Sequence, residues 1–298
     1  MKKIIAVSFL VVFIFLGAIS LVDAITVGPV KLQLNANPGQ TIEGTMFLKN
    51  DDNTAVTFYS SIETFTEKNG EKVFIKVPND LESWIKVPSS VKLPAGGSTN
   101  ISFSITVPKN ASPGGHFAIV WWSTTPPSSS SNHQVSIVTR AGILVYLNVS
   151  GNTIEEASFN LNGPIFAFGF PLNFNIHFEN NGNVFLMPQG NLEIKNILGN
   201  SVDNLPFNQG GAIILPKTSQ DFTLNWQSQG GFYFGPYQAV LNAIYGQNSK
   251  TATVSHWFFL ISWNSLIVII ILIILIFILP VLIRRYNKWI IEKSRNHS

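Results

Sequence analysis

Ile101-Ser102-Phe103-Ser104-Ile105-Thr106-Val107 decides the fold. Apolar and polar residues alternate strictly, the pattern of a strand with one face in a core and one in water. Similar runs lie on either side. Thr45–Lys49 leads into the turn cluster Asn50-Asp51-Asp52-Asn53, and Ala55–Phe65 reads as the next strand. Glu67–Lys72 holds an Asn-Gly pair, a hairpin signal. Phe117–Trp122 and Gln134–Val149 follow. Short strands separated by regular turn signals, with no amphipathic helix between them, predict an all-β fold of sandwich type.

The pattern occurs twice. Leu93-Pro94, Ser98, Phe103, Ile105, Pro113-Gly114 and Phe117–Trp122 are echoed by Leu215-Pro216, Ser219, Phe222, Leu224, Gly235-Pro236 and Tyr237–Tyr245. Upstream, Lys49–Asn53 is echoed by Glu179–Asn183. Proline fixes φ and cannot donate to a ladder, so Pro94 and Pro216 each end one strand before the next begins. The prediction is two tandem immunoglobulin-like β-sandwich domains, residues 25–150 and 151–256, with the boundary near Ser150–Thr153.

The two ends are directed to a membrane. Lys2 and Lys3 precede the apolar run Ile4–Val22, with Ala24 at a small-residue site. Residues 1–24 thus read as a signal peptide, an uncleaved anchor being the alternative. No Asp, Glu, Lys or Arg occurs from Thr251 to Ile283. Residues 257–283 are predicted to form a single transmembrane helix, flanked by Trp257, Trp263, Tyr286 and Trp289. The tail 284–298 carries Arg284, Arg285, Lys288, Lys293 and Arg295 against Glu292. By the positive-inside rule the tail is cytoplasmic, the ectodomain is extracellular, and the chain is a single-pass protein of the cell membrane that meets lipid through its helix.

Net charge is +3, but residues 25–256 hold 12 basic and 14 acidic side chains. Nucleic-acid binding by the folded part therefore lacks electrostatic support. The chain has no cysteine, which excludes thiol catalysis, zinc–thiolate sites and disulfide frameworks. His116, His133, His177 and His256 stand in no ligand spacing, and no nucleophile elbow or phosphate-cradling loop occurs. Asp51-Asp52 reads as a solvated turn rather than a calcium site. The expectation is a protein that is not an enzyme, with no cofactor and no metal.

Binding chemistry remains. Trp121 and Trp122 point to opposite faces of their strand. Either both faces are covered or one is an aromatic platform, on which a sugar ring could pack. The candidate ligand-binding residues are Trp84, Trp121 and Trp122, against the competing reading, favoured for large aromatics, that they are buried.

These features together resemble one family. Ile25–Leu34, Pro38-Gly39-Gln40, Asn50–Asn53, Trp84-Ile85, Leu93-Pro94, Pro113-Gly114-Gly115, Phe117–Trp122 and Val135–Val149 with Arg140 look like the first domain of the WxL-interacting proteins of Gram-positive bacteria. The second sandwich and the anchor stand where that family has its own. The resemblance implies a surface protein whose partners are cell-wall glycan, through peptidoglycan binding, and a WxL-type surface protein. The expected function is a cell-surface binding scaffold. The alternatives are an accessory subunit of a membrane or secreted enzyme complex, and a periplasmic-type chaperone offering a sheet edge to its clients.

Overall fold

A computed structural model describes residues 25–68, 71–75, 80–127, 139–227 and 230–295. The expected signal peptide, the Asn-Gly tip and Gln134–Val138 lie outside the described residues. The chain divides into two compact units, the division falling between Asn152 and Thr153.

The first unit begins with β1 (Ile25–Gly28), β2 (Lys31–Ala36), β3 (Thr41–Asn50), β4 (Val56–Lys68) and β5 (Glu71–Ile75). A one-turn helix, α1 (Leu81–Trp84), leads to β6 (Ile85–Lys86), β7 (Ser90–Leu93), β8 (Ser98–Thr106), β9 (Gly114–Ser123) and β10 (Arg140–Val149). One sheet has the order β1-β3-β8-β6, the other β2-β10-β9-β4-β5, with β7 also on β4. The first chain segment thus serves both sheets: β1 pairs antiparallel with β3, and β2 pairs parallel with β10. Ile101, Phe103, Ile105 and Val107 are all buried, as the alternation of β8 requires. They pack against Ala118, Val120 and Val145 from the opposing sheet, or, at Ile101, against Trp122.

The second unit holds β11 (Ala157–Asn162), β12 (Phe166–Phe168), β13 (Leu172–Asn180), β14 (Gln189–Asn196), β15 (Ser201–Phe207), β16 (Ser219–Trp226), β17 (Phe234–Tyr245) and β18 (Lys250–Ile261). Its sheets run β11-β13-β16 and β12-β18-β17-β14-β15. The larger sheet repeats the strand order of β2-β10-β9-β4-β5 element for element. The repeat in the sequence is therefore a repeat of topology. Phe174, Ile176, Leu241 and Trp226 form the centre of its core.

Glu155 shows how this unit handles a buried charge. It is 8% exposed, and its carboxylate accepts hydrogen bonds from the Gln247 amide (2.7 Å) and from Asn248 Nδ2 (3.3 Å). Lys250 Nζ donates to the Glu155 carbonyl oxygen at 2.6 Å. A buried carboxylate is tolerated where such donors replace water. Here it fastens the β17–β18 turn to the start of the unit.

The C-terminal helix corrects the expected boundary at Trp257. Residues 257–261 stay in β18, and Phe258 and Leu260 are buried in the core of the unit. The helix, α2, runs from Trp263 to Arg295. Both elements are apolar, so the lack of charge does not mark where strand becomes helix. The junction is marked by Ser262, whose Oγ accepts from the Ser265 amide (3.3 Å) and whose carbonyl accepts from the Leu266 amide (2.9 Å). That is the bonding of an N-cap serine. Pro280 lies inside the helix. Residues 263–289 are long and apolar enough to cross a membrane.

Candidate functional site

Strand β9 has even-numbered side chains on the core face and odd-numbered ones on the outer face. Trp122 falls on the core face, fully buried among Leu48, Phe58, Leu93 and Ile101. No ring face is open to a ligand. Trp84 is 5% exposed and belongs to the main core, with its ring 4.6 Å from that of His116. The three tryptophans named from the sequence therefore do not form one site, and Trp121 alone lies on the outer face.

Around Trp121 the outer face is organised. Its Nε1 donates to Glu63 Oε2 at 2.8 Å. The Arg140 guanidinium carbon lies 4.1 Å from the ring centre, a cation–π stack. The Phe74 ring centre is 5.9 Å from that of Trp121, the two rings tilted to one another. Four strands thus contribute in a row: β10 gives Arg140, β9 Trp121, β4 Glu63 and β5 Phe74. Gly142 pairs with Trp121 across β9 and β10. A Cβ on Gly142 would lie 2.6 Å from Ile119 Cδ1 and 2.7 Å from Trp121 Cε3, so only glycine lets the indole lie over β10.

The row ends at an open edge. Strand β2 covers β10 from Leu144 to Val149. Among the described residues no strand pairs with Arg140–Ile143 on that side, although β9 holds their other side. The Leu144 amide donates to the Val30 carbonyl at 3.1 Å, so even-numbered backbone groups of β10 face β2. By alternation, the N–H and C=O of Gly142 face the opening. The outer side of β5, which carries the exposed Val73, Phe74 and Ile75, is the other edge of this sheet.

A second feature is a cleft of about 790 Å³ lined by residues including Asp80, Trp84, Lys86, Thr106, Asn110 and His116. His116 Nδ1 lies 2.5 Å from Asp80 Oδ1, and Nε2 lies 2.9 Å from the Ser112 carbonyl oxygen. Both partners accept, which suits an imidazolium that donates from each nitrogen. Burial alone pushes the His116 pKa down, but the hydrogen bond to Asp80, the bond to Ser112 and the carboxylate charge outweigh it, and the net shift is upward. Burial likewise pushes Asp80 up, and its bonds to His116 and to the Leu81 amide overcome this and lower it. Asp80 also accepts from the Leu81 amide at 2.7 Å, capping α1. The pair pins α1 to β9 and is structural in form. No cluster of three metal-ligating side chains occurs among the described residues.

Sequence reasoning did not find Glu63, Phe74 or the His116–Asp80 pair. The partners of Trp121 follow from the pairing register of β9 with β4 and β10. The loop between β9 and β10 is too long for its turn chemistry to fix that register.

No protein-family model and no curated sequence matches the chain. Among solved structures, the chain is similar to the class 5 fimbriae chaperone CfaA, at 18% identity over 79% of this chain and 99% of that one, with a TM-score of 0.40. It is similar to a chain of the chaperone–tip adhesin complex of CFA/I fimbriae, at 17% identity over 79% and 98%, with a TM-score of 0.40. A chain of the CsuC–CsuE chaperone–tip adhesion subunit complex of Acinetobacter baumannii is 11% identical over 80% and 99%, with a TM-score of 0.37. At these scores the likenesses carry no argument, and the class rests on the strands and sheets themselves. The class is an all-β, two-sandwich protein with a C-terminal apolar helix.

Proposed function

We propose that this chain is a non-catalytic, membrane-anchored ectodomain that takes up an extended segment of a protein partner by adding it as a strand to the open edge of β10. The observation that carries this reading is the stretch Arg140–Ile143, with which no strand pairs on the β2 side among the described residues, beside the Trp121–Arg140 stack. In strand addition, main-chain hydrogen bonds supply affinity and side-chain pockets supply selectivity. An exported subunit with an unpaired strand is the client such an edge suits, so the reading is chaperone-like. The family resemblance seen in the sequence adds a WxL-type surface protein to the candidate partners. Helix α2 would cross the membrane once, with the basic tail inside and the two sandwiches outside.

A cell-wall glycan stacked on Trp121 has less support. Arg140 already occupies the ring, and Trp84 and Trp122 are core residues. The test is photo-cross-linking in cells from a benzophenone amino acid at Thr139, with Thr251 as the control position. Adducts to one or a few proteins from position 139 alone support the reading. Adducts to glycan, or the same products from both positions, contradict it.

A further inference from the structure

We propose that the foot of the second sandwich is itself a lipid-binding surface, seated in the outer headgroup layer around the root of α2. This rests on reading α2 as a membrane span. Ile165, Phe166, Phe168, Phe232 and Phe234 are each at least 60% exposed, and Trp263 is 59% exposed. They are not scattered. Phe166 pairs with Phe259 and Phe168 with Ile261 on one side of β18, and Phe234 pairs with Ile261 on the other. The rings of Phe166 and Phe234 lie 6.0 and 5.8 Å from that of Phe259, a continuous aromatic row across three strands.

The row adjoins the helix with almost no intervening chain. Ile261 and Trp263 are separated by Ser262 alone. At about 4.8 Å between strands and 3.3 Å per residue, Phe168 and Phe234 lie within roughly 10 Å of the first helical residue. The span has no slack. Asn264–Ile283 is 20 residues, ending at Arg284. At 1.5 Å per residue it covers about 30 Å, the thickness of the hydrocarbon core. With Arg284 at the inner boundary, Trp263 falls at the outer one. The ends of β12, β17 and β18 then fall in the headgroup layer, where buried phenylalanine and tryptophan anchor interfacial segments.

The root is also braced. The Ser262 amide donates to the Tyr233 carbonyl (2.8 Å), the Tyr233 amide donates to Ser262 Oγ (3.1 Å), and the Gly169 amide donates to the Ile261 carbonyl (2.9 Å). A Cβ on Gly169 would lie 2.2 Å from Trp263 Nε1, so the indole rests directly on the Gly169 backbone. The sandwich and the start of the helix therefore move as one piece, and the aromatic row cannot swing away from the bilayer. A soluble surface seldom carries so many adjacent exposed aromatics.

The absence of cysteine makes a direct test available. Single variants Phe166→Cys, Phe168→Cys, Phe234→Cys, Ile274→Cys and Thr251→Cys of the full chain are spin-labelled and placed in phosphatidylcholine–phosphatidylglycerol vesicles. Collision with dissolved oxygen is compared with collision with a water-soluble nickel chelate. The oxygen-to-nickel ratio at 166, 168 and 234 is expected to exceed that at 251 several-fold, with 274 higher still. A high ratio at 274 with 166, 168 and 234 matching 251 overturns the inference and leaves the anchor standing. Protection of 166, 168 and 234 from both reagents overturns it in favour of a protein cover. A low ratio at 274 removes the anchor reading and the inference with it.

Discussion

Asn50 and Asn180 hold the same place in the two sandwiches. Asn50 Nδ2 donates to the Thr54 carbonyl (2.8 Å) and the Pro94 carbonyl (2.9 Å), while Oδ1 accepts from the Asp52 amide (3.0 Å). Asn180 Nδ2 donates to the Val184 carbonyl (2.8 Å) and the Ile214 carbonyl (3.0 Å), and Oδ1 accepts from the Gly182 amide (3.0 Å). Both are fully buried. Each ties its Asn-rich turn to the segment around its Leu-Pro turn, so the two motifs repeated in the sequence are halves of one device. Removing the amide orphans buried carbonyls, which costs about 1–3 kcal/mol for each group left unpaired. Asn50→Ala is expected to destabilise the first sandwich and Asn180→Ala the second. Amide exchange of β3 and β8 against β13 and β16 measures the two separately.

The His116–Asp80 pair gives the first sandwich a pH dependence. The folded pKa of His116 is raised above 6.5. Its contribution is therefore fully present below the unfolded value and is lost as pH rises through the folded one. Asp80 is lowered from 3.8, so its contribution is present above that value and lost as pH falls through the folded one. Stability of this unit is expected to decline upward from about pH 6.5 and again in strong acid. His116→Gln should flatten the neutral limb. The check is the urea midpoint from pH 5.5 to 8.5, with the imidazole followed by nuclear magnetic resonance.

Gly246 sits at φ +75°, and a Cβ there would lie 2.5 Å from Glu155 Oε2. Gly246→Ala adds left-handed strain and displaces the carboxylate that receives the Gln247 amide. A loss of about 1–3 kcal/mol is expected, measured by denaturant unfolding. Glu155→Ala, which removes the obstacle and the acceptor together, should make the glycine substitution less costly when the two are combined.

Trp122 and Arg140 separate stability from binding. Trp122→Ala empties a core site and should cost about 3–5 kcal/mol. Arg140→Ala removes an exposed stack worth about 0.5–1 kcal/mol, yet under the proposed function it should reduce cross-linking from position 139 sharply. Parallel unfolding curves and cross-linking yields decide the matter.

The sandwiches were legible because strands such as Ile101–Val107 announce themselves by alternation, and because the turns on either side carry Pro, Gly and Asn. The position of the long apolar helix was legible and its start was not. Trp257–Ile261 is as apolar as the span, and only the pairing with β17 keeps it in a strand. Period two placed Trp121 and Trp122 on opposite faces but could not say which face was covered. That depends on the sheet carrying β1, β3 and β8. The open edge of β10 was hidden for a related reason, since it depends on how far a strand more than a hundred residues upstream extends along it.

The most direct measurement of the central claim is amide exchange at Gly142 in the full chain, alone and with the cross-linked partner segment supplied as a peptide. The Gly142 amide is expected to exchange freely in the unbound protein and to be strongly protected in the complex, while Ile143, already bonded within the sheet, changes little. A Gly142 amide that is protected without the partner, or one that the bound peptide leaves unchanged, would contradict strand addition at this edge.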